Sequence, residues 1–192
     1  MHKGRLEAFS DGVIAILITI MVLELKIPQE ASLAALAPLC PVFISYVLSF
    51  IFIGIYWSNH HHLLQASQKV NGPILWANMH LLFWLSLIPF TTAWMGGHQF
   101  AQWPVILYGA DLLFCGIAYY ILSRCLISYH GQSSALATAV GGDFKGIISV
   151  VIYLVAIGLA FLSPWIAYLC YVGVAVMWLV PDRRIERVIA KD

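Results

Sequence analysis

The sequence predicts an all-α integral membrane protein with six transmembrane helices, and three observations carry that prediction. Of its 192 residues, 61% are apolar and only 10% are charged, with a mean hydropathy of +0.87. A soluble domain carries about 25% charged residues, so a water-facing surface cannot be built from this inventory. Six stretches reach or approach the roughly 20 apolar residues that carry a helix across a bilayer. Strand-type alternation is missing, which argues against a barrel.

In chain order, the spans are expected near Leu6 to Leu25, Val42 to His61, Pro73 to Trp94, Trp103 to Ser123, Gly146 to Leu162 and Pro164 to Val180. Together they use roughly 120 residues at about 20 each, so residues 1–192 are read as a single domain. A cleaved signal peptide is the rival reading of the first span, because Lys3 and Arg5 precede an apolar run and Ala35-Leu36-Ala37 resembles a cleavage site. Glu7 and Asp11 interrupt that run, and Pro38 would follow the cut, so the span is read as retained.

Basic residues orient the spans, because Lys and Arg stay on the cytoplasmic side. Lys3, Arg5, Lys69, Arg124, Lys145, Arg183, Arg184, Arg187 and Lys191 fall on one side, and of the 10 basic residues only Lys26 falls on the other. Both termini are thus expected in the cytoplasm. The net charge of +1 excludes a polybasic nucleic-acid binder, leaving the lipid bilayer as the expected partner. Cys40, Cys115, Cys125 and Cys170 form no CxxC pair and read as small hydrophobes.

Polar groups inside the spans are the candidates for function. Asp11 lies about five residues, or roughly 7.5 Å, inside the first helix. An ionised Asp at the centre of a membrane helix costs about 2.5–3.5 kcal/mol on insertion scales, so it needs a partner or a wet cavity. The second span ends in Trp57-Ser58-Asn59-His60-His61-His62, and the third carries Asn78 and His80 in its first two turns. With alternating spans, donors from three helices meet at one inner depth. The plainer reading makes Ser10 and Asp11 a helix cap and leaves the histidines in headgroup water.

Arg5, Phe9-Ser10-Asp11-Gly12, then Ile16, Thr19 and Leu23 on one helix, Trp57 with His60 and His61 ending the next, and Asn78 followed by Pro89-Phe90 resemble the bacterial members of the transmembrane protein 175 potassium channels. The likeness is specific over residues 5 to 25, extends to about Thr91, and beyond that rests on hydropathy and span count. It implies a homotetramer of six-helix subunits in a prokaryotic inner membrane, with the four first helices lining a pore that lacks a TVGYG carbonyl filter. Potassium is then the permeant ion, no cofactor is required, and no enzyme activity is expected. Carried over by position, Arg5, Phe9, Ser10, Asp11, Trp57, His60 or His61, and Asn78 brace helix one. Ile16 forms the narrow apolar ring, Thr19 a polar ring one turn away, and Ile20 and Leu23 further apolar layers.

Periodicity alone places Gly12, Ile16, Thr19 and Leu23 on one face of helix one, with Ile20 at its border. Such a row is more often ordinary helix packing than a pore, and the resemblance reverses that reading. No span carries a repeated Arg pattern, so no voltage sensor is expected. A proton-coupled secondary transporter using Asp11 or Asp111 is the alternative, although the paired broken helices and internal repeat of such carriers are not visible.

The remaining candidates divide between function and structure. Consecutive His60, His61 and His62 point about 100° apart and cannot hold one metal ion from one helix. Asp111, in the middle of span four, is either a relay for protons or cations or a protonated acid bonded across a helix contact. Glu24 forms an acidic ring at the outer pore end or pairs with Lys26 or water. Trp57, Trp76, Trp94, Trp103 and Trp165 mark span ends, while Trp84 and Trp178 pack more deeply. The segment Ser133 to Gly142 lacks the GxxxxGK[ST] pattern of a phosphate loop. The tail Asp182 to Val188 is expected to rest on anionic lipid.

Overall fold

A computed structural model describes residues 3–134, 136, 137, 141 and 143–179. Helix α1 spans Gly4–Leu23, and a 3-10 turn at Leu33–Leu39 leads into α2, Cys40–Gln65. Then come α3 (Gly72–Leu85), α4 (Ile88–Gly97), α5 (Gln102–His130), α6 (Phe144–Leu159) and α7 (Pro164–Leu179). The tail, with its four basic residues, its expected lipid contact and its part in the topology, lies outside the described residues, as do several positions of Ser133 to Gly142.

Local chemistry sets most of these boundaries. Asn71 accepts from the Ile74 amide at 3.1 Å to cap α3, and Asp143 accepts from the Gly146 amide at 3.2 Å to cap α6. A side-chain oxygen at these positions satisfies one of the amides that a helix start leaves without a partner. Ser32 caps the 3-10 turn in the same way. Proline occupies the first turn of α2, α3 and α4, where its missing N–H costs nothing.

The third span is a correction to the sequence reading. Instead of one helix from Pro73 to Trp94, α3 stops at Leu85 and α4 restarts at Ile88. Pro89 has no amide to offer the Leu85 carbonyl, and its ring collides with that carbonyl in a continuous helix. The freed end is tied off locally, with Ser86 Oγ donating to the Phe83 carbonyl at 2.6 Å. Helix α5 runs on to His130, beyond the expected end at Ser123, and at 29 residues it is about 43 Å long, more than the hydrocarbon core needs. Helices α6 and α7, at 16 residues each, are about 24 Å long. Among the described residues, four segments are long and apolar enough to cross a membrane: α1, the turn with α2, α3 with α4, and α5.

Helix α5 is the hub, packing against α3, α4, α6 and α7, whereas α1 lies against α2, α3 and α4. Tyr108, Tyr171, Phe52, Leu112 and Met95 fill the fully buried core. Two glycines permit the closest approaches. A side chain on Gly109 would meet the Tyr171 ring and hydroxyl, and one on Gly96 would meet Ser45 and the α2 backbone at Val42.

Candidate functional site

Helix α1 has two faces. Leu6, Ser10, Ile14, Leu17 and Met21, spaced three or four apart, are buried against the rest of the subunit. Opposite them, Phe9, Ile16 and Leu23 are 51%, 56% and 79% exposed, with Ile20 at 41%, and Gly12 and Thr19 are exposed beside them. The Thr19 hydroxyl donates to the Ile16 carbonyl at 2.8 Å, which leaves its oxygen lone pairs directed away from the backbone as acceptors.

The buried face is held by a chain of hydrogen bonds through three helices. Asn78 Nδ2, on α3, donates to Ser10 Oγ at 3.0 Å, and Asn78 Oδ1 is 2.7 Å from His60 Nε2, on α2. An amide oxygen only accepts, so Nε2 is the protonated nitrogen of His60. All three side chains are buried, at 1% exposure or less, which makes this the dry centre of the α1–α2–α3 contact.

Asp11 stands apart from that chain. Its Oδ1 accepts from Trp57 Nε1 at 3.1 Å at an exposed edge, and the Trp57 ring stacks on His61 at 5.9 Å. The eight residues expected to share one network therefore separate into a buried triad, a peripheral Asp11–Trp57 pair with His61 stacked on it, and the exposed Arg5 and Phe9. Arg5 and Phe9 are exposed, and Arg5 makes no hydrogen bond or ion pair among the described residues. His62 Nδ1 is buried with no partner among the described residues, and His80 Nε2 accepts from Trp84 Nε1 at 2.9 Å within α3. Glu24 and Lys26 are exposed and form no ion pair with each other. Among the described residues, no three His, Cys, Asp or Glu side chains are grouped to hold a metal.

Asp111 has partners within the subunit: Thr91 Oγ1 donates to Oδ2 at 3.0 Å, and Cys115 Sγ lies 4.0 Å from Oδ1. Alongside, Ser49 Oγ lies 2.6 Å from Thr92 Oγ1 and 2.9 Å from Tyr108 Oη. Helix α4 is thus tied by its two threonines to both α2 and α5. Trp84 stacks on Phe114 at 4.3 Å, and Trp178 donates to Ser149 at 2.9 Å, as their depth implied.

Two anchors escaped sequence reasoning. Lys3 Nζ donates to the Leu64 and Gln65 carbonyls at 2.8 and 3.1 Å, closing the C-terminal end of α2, and it pairs with Glu7 at 3.5 Å. A cation is favoured at that end by the helix dipole, but nothing in the sequence says which helix end lies beside Lys3. His130 Nδ1 donates to the Leu126 carbonyl at 2.9 Å, so Nε2 is free to accept the Gln68 and Lys69 amides at 3.2 and 3.4 Å. That ring fastens the α2–α3 loop to the end of α5.

The profile of the family described as endosomal/lysosomal potassium channel TMEM175 matches residues 5–89, the segment holding α1 and both bracing helices. A potassium channel of Chryseobacterium sp. (strain P1-3) is 55% identical over 187 residues, covering 97% of each chain. The chain belongs to the TMEM175 family. A second family member, a potassium channel of Chamaesiphon minutus, is 29% identical over 189 residues, covering 89% of this chain and 91% of that one. The crystal structure of a lysosomal potassium-selective channel TMEM175 homolog from the same organism superposes with a TM-score of 0.80 at 27% identity, covering 93% of this chain and 96% of that one. The endosomal/lysosomal proton channel TMEM175 of Homo sapiens is 30% identical over 116 residues, which is 54% of this chain and 23% of the human one. These relatives are channels, not enzymes.

Proposed function

We propose that the chain forms a homotetrameric, potassium-permeable cation channel in a prokaryotic inner membrane, with four copies of α1 around the pore and both termini in the cytoplasm. The observation that carries this reading is the stripe Gly12, Ile16, Thr19 and Leu23. It is exposed, without a packing partner among the described residues, while the opposite face of the same helix is locked by Ser10, Asn78 and His60. A single subunit cannot enclose a channel with one helix face, and a closed cyclic assembly repeats that face around an axis.

In that assembly Ile16 makes the constriction. Apolar walls offer water no hydrogen bonds, so a narrow ring gates by dewetting. Thr19 lies three residues on, about 4.5 Å along the axis. Its oxygen, with the hydroxyl proton already given to Ile16, supplies a lone pair to an ion partly stripped of water at the ring. Potassium sheds water more cheaply than sodium, so few ligands in a narrow passage favour it modestly. Ile20 and Leu23 add apolar layers, and the bracing triad with the Asp11–Trp57 pair fixes the angle at which α1 meets the axis.

Planar-bilayer recording tests the reading. Unitary currents should reverse near the potassium potential, and Ile16→Asn should raise conductance and weaken selectivity, whereas Thr19→Ala should change mainly selectivity. Unchanged current and reversal potential for Ile16→Asn, in protein shown to be tetrameric by native mass spectrometry, would remove α1 from the constriction.

A further inference from the structure

Residues 66–71, which join α2 to α3, are held at both ends and from the side. At the α2 end, Lys3 of the α1 N-cap grips the Leu64 and Gln65 carbonyls, and Ser67 Oγ donates to the Leu63 carbonyl at 2.9 Å. At the other end Asn71 caps α3. Between them Gln68 and Lys69 are exposed, and both give their amides to His130 Nε2 in the last turn of α5.

The geometry admits one protonation state of that ring. A carbonyl only accepts, so Nδ1, 2.9 Å from the Leu126 oxygen, carries a proton. A backbone amide only donates, so Nε2, 3.2 and 3.4 Å from the Gln68 and Lys69 nitrogens, must be bare. A second proton would set an N–H against two N–H groups, losing both bonds and adding repulsion. The bond to Leu126 survives, because Nδ1 keeps its proton, and a cation is favoured at a helix C-terminus. Protonation therefore leaves the ring on α5 and releases the loop alone.

The charged and titratable groups at this end of the bundle do not offset such a charge. Lys69 lies on the loop, Arg124, Cys125 and Tyr129 on α5, Lys145 at the start of α6, His60, His61 and His62 at the end of α2, His80 on α3, and Lys3 and Arg5 at the start of α1. The carboxylates are engaged elsewhere: Glu7 with Lys3 at 3.5 Å, Asp11 with Trp57 at 3.1 Å, and Asp143 with the Gly146 amide. Among the described residues none pairs with His130.

We propose that His130 is an acid-released latch. Neutral, it pins the α2–α3 loop to α5 and steadies the α2 carbonyls that Lys3 grips; protonated, it frees the loop and loosens the first turn of α1. Gln65 is separated from Gln68 by about 10 Å of chain at most, so movement of the loop is carried directly to that grip. Imidazole changes charge between about pH 5 and 8, which sets the window of the switch. The latch belongs to the subunit fold and does not depend on the channel reading, in which it would put one end of the pore helix under the control of a proton.

Hydrogen exchange of the full chain in nanodiscs, read by mass spectrometry, follows the latch without current and so succeeds or fails separately from that reading. With the intrinsic pH dependence of exchange divided out, the Gln68 and Lys69 amides should lose at least tenfold in protection from about pH 8 to about pH 5. The first turn of α1 should lose severalfold, and α7 should not change. H130Q puts an amide oxygen where Nε2 stands and accepts at every pH, so its loop should stay protected throughout; H130K, a cation with donors alone, should leave the loop open throughout. K3M should open the first turn of α1 at both pH values while the loop keeps its response. Loop protection that is flat with pH in the wild type, or that falls in H130Q as it does in the wild type, would overturn the latch. A first turn of α1 that ignores release of the loop would overturn its link to Lys3.

Discussion

Replacing Asn78 by Leu keeps the side-chain volume and removes both polar links of the buried triad. Asn78 is fully buried, as is Ser10, and His60 is 1% exposed, so neither partner can turn to water. In a soluble protein each orphan would cost about 1–3 kcal/mol, or about 2–6 kcal/mol for the pair. In a bilayer the measured worth of such inter-helix bonds averages about 0.6 and reaches about 1.7 kcal/mol, because the unfolded chain in lipid also finds partners. Two bonds therefore give about 1–3.5 kcal/mol, and the lower range governs because the reference state here stays in the membrane. Unfolding in mixed micelles by SDS titration, followed by tryptophan fluorescence, reads this directly. Ser10→Ala alone should cost less, and in the Asn78→Leu background it should cost almost nothing, since its partner is already gone. A loss under about 0.5 kcal/mol for Asn78→Leu, or full additivity of the double variant, would refute the claim that this triad couples α1 to α2 and α3.

Asp11→Ala should reduce tetramer recovery in size-exclusion chromatography while leaving the reversal potential of surviving channels unchanged. Its loss orphans Trp57 Nε1 at a half-exposed edge, so the effect should be smaller than that of Asn78→Leu. Gly109→Ala should destabilise the α5–α7 contact by about 1–3 kcal/mol in the same SDS titration, because the added methyl runs into the buried Tyr171 ring. Stability should also fall as pH rises through the raised pKa of Asp143. That pKa lies above its unfolded value, so the folded state holds the proton more tightly and the contribution is fully present only below the unfolded pKa. Asp143→Asn should flatten this part of the pH profile, and an unchanged profile would locate the titration elsewhere.

The membrane class, the all-helical architecture and the two faces of α1 were legible in the sequence because each depends on composition or on local periodicity. A run of apolar residues is legible without knowing its neighbours, and Ile16, Thr19 and Leu23 share a face at 3.6 residues per turn in any helix. Pro89 likewise carries the break between α3 and α4, although the expected span ran through it. Which polar groups meet depends on helix rotation and depth, set by packing between segments far apart in the chain. Ser10 and Asp11 are adjacent, yet their directions differ by about 100°, so one enters the triad with Asn78 and His60 and the other reaches Trp57 at the edge. The partners of Lys3 and His130 lie about 60 residues away in sequence, with no local signal to announce them. A linear pattern has no means of recording a contact between surfaces that only the folded chain brings together.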